Sequence, residues 1–227
     1  MKKNTLLFIV SFILAITCQR LLSQNKINQF NTSGKRIGVW KKNYNNGKVR
    51  YIGQFKNGKE IGVFKFYSAL SSEYPTAIKT FETNSNLAKV SFYTVKGVLV
   101  SEGVMDAKKR IGHWKYYQSD GKTLLSEENY KNGVLEGKSK TYYKNGKITE
   151  ILFYKNAKLH GNTKRFAKNG ILLDELNYVD GKLDGLAKYY DIHGKLIYTG
   201  NYENDVKVGK WEYFENGKSV RVDKLKQ

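Results

Sequence analysis

The chain has 227 residues, with one proline and one cysteine, and carries 40 Lys and Arg against 20 Asp and Glu. A lone cysteine excludes an intramolecular disulfide framework and a cysteine-rich metal site, and 14% aromatic residues is too many for a disordered chain. A formal charge of +20 favours anionic surroundings without choosing among nucleic acid, lipid and acidic polymer.

Residues 1–23 read as a separate segment. Lys2 and Lys3 precede an apolar run from Thr5 to Cys18. The run has the length of a signal-peptide core and is short for a membrane span. A cut after Ser23 leaves a small residue at the last position, so the expectation is a signal peptide over 1–23 and an exported repeat domain over 24–227. Lipidation at Cys18 is the less favoured route, because Thr17 is bulky for the position before such a cut.

From there the chain repeats itself. Glycines fall at Gly38, Gly62, Gly112, Gly137, Gly161, Gly185 and Gly209, at intervals of 24, 50, 25, 24, 24 and 24. The 50 is two units, with Ala88 at the missing mark, which makes eight units. A second glycine follows at Gly47, Gly97, Gly121, Gly146, Gly170, Gly194 and Gly217. Aromatics keep register with these marks. One column, two past the first glycine, holds Trp40, Phe64, Trp114 and Trp211. Another, five past it, holds Tyr67, Tyr93, Tyr117, Tyr142, Phe166, Tyr190 and Phe214. A third holds Phe55, Tyr130, Tyr154, Tyr178 and Tyr202.

Asn-Gly and Asp-Gly pairs recur between runs of about six to eight residues rich in Tyr, Phe, Ile, Leu and Val. Such pairs supply the positive φ that tight hairpin turns need, and the runs suit strands and are short for helices. The expected fold is all-β: an elongated, single-layer antiparallel meander of repeated β-hairpins, about eight units and sixteen strands, twisted or curled. At ~4.8 Å per strand it extends on the order of 75 Å. The stretch from Gly62 to about Leu87 is irregular and holds Pro75.

The phrase "FKNGKEIGVFKFY" (Phe55 to Tyr67), with a looser copy over Tyr202 to Lys218, resembles the MORN repeat in its bacterial variant form. The resemblance covers about residues 28–218. It implies a non-enzymatic scaffold. Members of this variant class carry a YwqK-type antitoxin label, and some members of the wider family have been proposed to bind phospholipid.

The residues themselves offer little chemistry. His113, His160 and His193 lack metal-ligand spacing. Glu127 and Glu128, like Asp174 and Glu175, are adjacent and therefore point to opposite faces of a strand; the expectation is solvated carboxylates that balance lysines. No nucleophile elbow or phosphate loop is present, and no cofactor is expected.

Two candidate surfaces follow. Trp40, Trp114, Tyr117, Tyr142, Phe166, Tyr190 and Trp211 are the candidates for binding a partner protein. Lys48, Lys59, Lys122, Lys147, Lys182, Lys195 and Lys218 follow turn glycines, and regular spacing sets them in stripes. These serve solubility and block edge pairing, or they bind a polyanion. For an exported protein, anionic lipid or acidic polysaccharide is a better polyanion than nucleic acid. The leading expectation is an exported scaffold for a protein partner. Peripheral binding to anionic envelope polymers and an antitoxin-like role stand beside it.

Overall fold

The structure, a computed structural model, describes residues 26–82 and 85–220. The expected leader and Cys18 lie outside the described residues. The strands are β1 (Gln29–Phe30), β2 (Arg36–Asn43), β3 (Val49–Lys56), β4 (Lys59–Phe66), β5 (Ala77–Phe81), β6 (Leu87–Tyr93), β7 (Leu99–Asp106), β8 (Lys109–Tyr117), β9 (Leu124–Lys131), β10 (Val134–Leu135) and β11 (Gly137–Tyr142). They continue as β12 (Ile148–Lys155), β13 (Lys158–Leu159), β14 (Gly161–Phe166), β15 (Leu172–Val179), β16 (Lys182–Leu183), β17 (Gly185–Tyr190), β18 (Leu196–Glu203), β19 (Val206–Glu215) and β20 (Lys218–Val220).

All pairings are antiparallel between chain neighbours, so the sheet is one open meander. The sixteen expected strands are all present. The surplus is β1 and the two-residue strands β10, β13 and β16, which are the leading ends of β11, β14 and β17.

The marker glycine explains the breaks. It bends the strand by taking positive φ at every marked unit. Gly38, Gly62, Gly112 and Gly209 have φ of 62–67°, and their strands run through unbroken. Gly137, Gly161 and Gly185 have φ of 84–107°, and there the strand splits in two. Ala88 does not take positive φ: it is buried in the regular strand β6, so the third unit lacks the bend.

The Asn-Gly pairs form two kinds of turn. Asn57-Gly58, Asn132-Gly133 and Asp180-Gly181 have positive φ at both residues, as a two-residue hairpin turn requires. At Asn46-Gly47, Asp120-Gly121, Asn145-Gly146 and Asn169-Gly170 only the glycine does. These belong to longer loops, such as the one closed by the Tyr143 amide on the Lys147 carbonyl at 2.8 Å. The two kinds occupy opposite rims of the sheet, a hairpin rim and a loop rim, except that the last turn of the loop rim, Asn216-Gly217, is again a two-residue turn with positive φ at both residues.

Cross-strand register assigns each side chain to a face. The packed face carries the Trp40–Trp211 column and the Phe55–Tyr202 column. Trp114 and Phe64 have no exposed surface there. In a single layer this requires the face to be concave, so that neighbouring rings meet over them. Phe55 and Phe81 close on Phe64 edge-on at 5.2 and 5.6 Å, and Phe92 and Tyr130 flank Trp114.

Phe64, Trp114 and Trp211 each lie on a glycine eleven residues earlier, whereas Trp40 has Gln29 at that place. A Cβ added at Gly53 would come within 2.3 Å of Phe64, one at Gly103 within 2.4 Å of Trp114, and one at Gly200 within 2.3 Å of Trp211. A cation four residues before each Trp covers the other side: Arg36 on Trp40 at 5.0 Å, Arg110 on Trp114 at 4.9 Å, Lys207 on Trp211 at 4.2 Å. The three split-strand units reverse the sizes. The small residues Ser139, Thr163 and Ala187 hold the ring position and are buried. Leu135, Leu159 and Leu183 replace the cation, and Glu128, Leu152 and Leu176 replace the glycine. The core is thus filled in two complementary ways.

Gly103 has no positive φ, so any penalty at this site comes from space alone. Gly103→Ala is expected to destabilise the protein by about 1–3 kcal/mol through overpacking against Trp114. The denaturant midpoint measures it, and an unchanged midpoint would show that the ring moves aside freely.

Candidate functional site

The face opposite the packed one is open and polar. Direct cross-strand pairs run unbroken across it through Lys41, Ile52, Lys65, Ile78, Ser91, Glu102, Lys115, Glu127, Lys140, Ile151, Lys164, Glu175, Lys188, Thr199 and Glu212. Lysine returns at alternate positions, with Ser91 and Glu212 as the exceptions, because each repeat unit contributes two strands. At ~4.8 Å per strand the unit spacing is about 10 Å. Lys164 meets Glu175 at 3.2 Å and Lys140 approaches Glu127 at 4.0 Å. Exposed pairs of this kind contribute at most about 1 kcal/mol each, so they set register and surface pattern more than stability.

The structure divides the candidate aromatics between the two faces. Trp40, Trp114 and Trp211 lie on the packed face. Trp114 is fully buried, with its Nε1 donating to the Val104 carbonyl at 3.1 Å. That corrects its candidacy for direct partner contact: a ring with no exposed surface serves a partner only by holding the strand in shape. Trp40 and Trp211 are half-buried.

Tyr117, Tyr142, Phe166 and Tyr190 reach the open face instead, because each stands three residues past the packed column on its strand and successive side chains alternate between faces. They stand beside an aliphatic row that includes Leu125, Leu173 and Ile197. The Tyr117 hydroxyl donates to Glu102 at 2.6 Å, and Tyr142 donates to Glu127 through a short hydrogen bond. These two tyrosines thus each take a glutamate fifteen residues earlier. In the unit with Phe166, that earlier position is Ile151.

These contacts move both partners' titration. Partial burial and then the glutamate bond push Tyr117 and Tyr142 up to about 12. The Tyr142 bond, assisted by His113 and Lys140, holds Glu127 below its ordinary value. The two directions agree, since a hydroxyl donor stabilises the carboxylate and is itself kept protonated.

The candidate lysines also separate. Lys48, Lys122, Lys147, Lys195 and Lys218 lie on the loop rim, and Lys59 and Lys182 on the hairpin rim. The Lys48 and Lys147 amines tie adjacent loops together through the Leu70 carbonyl at 2.5 Å and the Asn169 carbonyl at 2.7 Å. On the hairpin rim, Lys35, Lys56, Lys59, Lys108, Lys109, Lys131, Lys155, Lys158 and Lys182 outnumber Glu60, Asp106, Glu136, Asp180, Asp184 and Asp205, so this rim is net positive as well. On the loop rim, Lys96, Lys144 and Lys168 add to the positive charge. Asp120 and Asp191 are occupied there by their own turn amides.

The carboxylate pairs do split across the sheet, with Glu127 open and Glu128 packed. Asp174 is not solvated as expected. It is 4% exposed and held by Arg165 on the packed face. His113 faces Glu127 at 3.2 Å and His160 faces Asp180 at 3.5 Å. No cluster of three or more His, Cys, Asp or Glu side chains suited to a metal occurs among the described residues.

The MORN repeat variant family matches residues 36–57, 135–156, 159–180 and 183–204. These segments are similar to MORN repeat variants. Each match begins four residues before the ring position of its unit, at Arg36, Leu135, Leu159 or Leu183. The MORN-variant description therefore covers both core types. The remaining units share the register through Gly62, Gly112 and Gly209. No curated protein matches the chain.

Tyr117 and Tyr142 contribute stability that is present below pH 10 and lost as pH rises through about 12. Glu127 contributes stability present above its ordinary carboxyl value and lost as pH falls through its lowered folded value. Tyr142→Phe is expected to flatten both limbs and to lower stability by about 1 kcal/mol. Denaturant midpoints between pH 2 and pH 12 would test this, and limbs unaltered by the substitution would contradict it.

Proposed function

We propose that the chain is a non-catalytic scaffold that binds a partner protein along its open face. The observation that carries this is the unbroken cross-strand row from Lys41 to Glu212, flanked by Tyr117, Tyr142, Phe166 and Tyr190. It presents lysine, carboxylate and aromatic groups at a unit spacing of about 10 Å. Stacked repeats bind through extended regular surfaces of this sort. The apolar run behind Lys2 and Lys3 supports an exported protein, processed after Ser23.

A second reading has its own support. On the loop rim, Leu70 is 77% and Ile192 69% exposed, amid Lys48, Lys144, Lys147, Lys168 and Lys195. Protruding apolar tips among cations suit an anionic envelope surface, whether lipid headgroup or acidic polysaccharide.

Charge reversal separates the two. Lys140→Glu with Lys164→Glu is expected to abolish capture of the protein partner and to leave binding to anionic liposomes intact. Lys147→Glu with Lys168→Glu is expected to do the reverse, with salt-sensitive liposome binding. Partner capture that survives the open-face change and fails with the loop-rim change would overturn the first reading. Amino-terminal sequencing of the fractionated protein tests export: a chain starting after residue 23 outside the cytoplasm supports it, and an intact cytoplasmic chain contradicts it.

A further inference from the structure

The packed face changes character between β9 and β17. Elsewhere the row of direct pairs next to the core is largely aromatic, running through Tyr51, Phe66 and Phe92 at one end and Tyr189, Tyr198 and Tyr213 at the other. In between it reads Ser126, Thr141, Glu150, Arg165, Asp174. A cavity of about 250 Å³ opens there, lined by Glu150, Thr163, Arg165 and Asp174 with Tyr178 and Tyr189.

Its polar groups are incompletely matched. Arg165 places Nε at 2.8 Å and Nη2 at 2.5 Å from the same oxygen, Oδ2 of Asp174. Oδ1 of this carboxylate, 4% exposed as a residue, is left without a hydrogen-bond partner among the described residues. Glu150 has neither hydrogen bond nor ion pair among them. The Thr141 hydroxyl, paired across the strands with Glu150, is buried and unpartnered. Oδ1 keeps accessible surface, unlike the Thr141 hydroxyl, and is open to a donor that enters the cavity.

Two carboxylates against one guanidinium leave the cavity short of a cation, in a protein of formal charge +20. The rest of the packed face shows what is missing. Each Trp unit covers its ring with its own Arg36, Arg110 or Lys207. The units at Gly137, Gly161 and Gly185 have Leu135, Leu159 and Leu183 at that place, and so supply no cation while retaining the tyrosines.

We propose that this cavity binds an alkyl cation, an ammonium or guanidinium group, between the Glu150 and Asp174 carboxylates and the Tyr178 and Tyr189 rings. The cation donates to Asp174 Oδ1 and to Glu150, and the ring faces supply the aromatic attraction found in the Trp units. A free polyamine and a basic side chain of another protein offer the same chemistry.

Two probes distinguish these sources: spermidine, and Nα-acetyl-lysine methylamide. Each is titrated into the full chain while the backbone amide signals of Leu176 and Tyr189 are followed. Saturable shifts with either probe support the site and indicate which source it takes. Glu150→Gln removes a carboxylate that has no partner to lose, and is expected to weaken binding roughly tenfold, as for loss of a charged hydrogen bond. Asp174→Asn should weaken it at least as much, and Glu175→Gln on the opposite face should leave it unchanged. The proposal is overturned by an absence of saturable shifts with both probes, by equal affinity in Glu150→Gln, or by sulfate moving the same amides through Arg165.

Discussion

Everything in this sheet depends on how a large ring is seated on a bare backbone. A single layer has no second sheet to bury its side chains, so the core forms within one curved face. The closest packing occurs where Trp114 covers Gly103, Phe64 covers Gly53 and Trp211 covers Gly200. Any side chain at those glycines would lift the ring off the strand. The marker glycine makes this possible by bending the strand that carries the ring, and the cation four residues before each Trp closes the remaining side.

The same space is filled differently in the middle of the array. With Ser139, Thr163 or Ala187 at the ring position, leucine enters from four residues earlier, and Leu152 or Leu176 enters from the neighbouring strand. The strand then splits at the bend, and the glycine opens to larger φ. Local size complementarity, not one fixed residue, is what repeats. Because each unit contacts only its neighbours, the array is nearly one-dimensional in stability. A change of core type in one unit is therefore paid for locally. The packed face can be apolar at both ends and polar at the centre without loss of continuity, and the open face can keep one regular pattern throughout.

Much of this was legible in the sequence. Gly38 to Gly209 fixed the unit length, and the spacing of Asn-Gly pairs fixed the strand count and antiparallel order. The Trp column and the Tyr117–Tyr190 column are three residues apart, so strand alternation already sends them to opposite faces. Two things were hidden. Asn46-Gly47 and Asn57-Gly58 look alike as dipeptides, yet the residues around them give one a loop and the other a two-residue turn. Asp174 reads as one more surface acid, because its cross-strand partner Arg165 becomes visible only when register is known. One missed signal was available: Leu135, Leu159 and Leu183 coincide with the units lacking an aromatic ring, and Arg36, Arg110 and Lys207 with those bearing Trp.

The central claim, that the two core types are interchangeable sets rather than unrelated substitutions, can be tested by transplanting one into the other. Thr163→Trp alone should destabilise the array, since the ring would fall on Leu152. Adding Leu152→Gly and Leu159→Arg supplies the seat and the covering cation. Equilibrium denaturation of the wild type, the single variant and the triple variant is the most direct measurement. Recovery of most of the lost stability in the triple variant is the predicted result, and a triple variant no more stable than Thr163→Trp would contradict it.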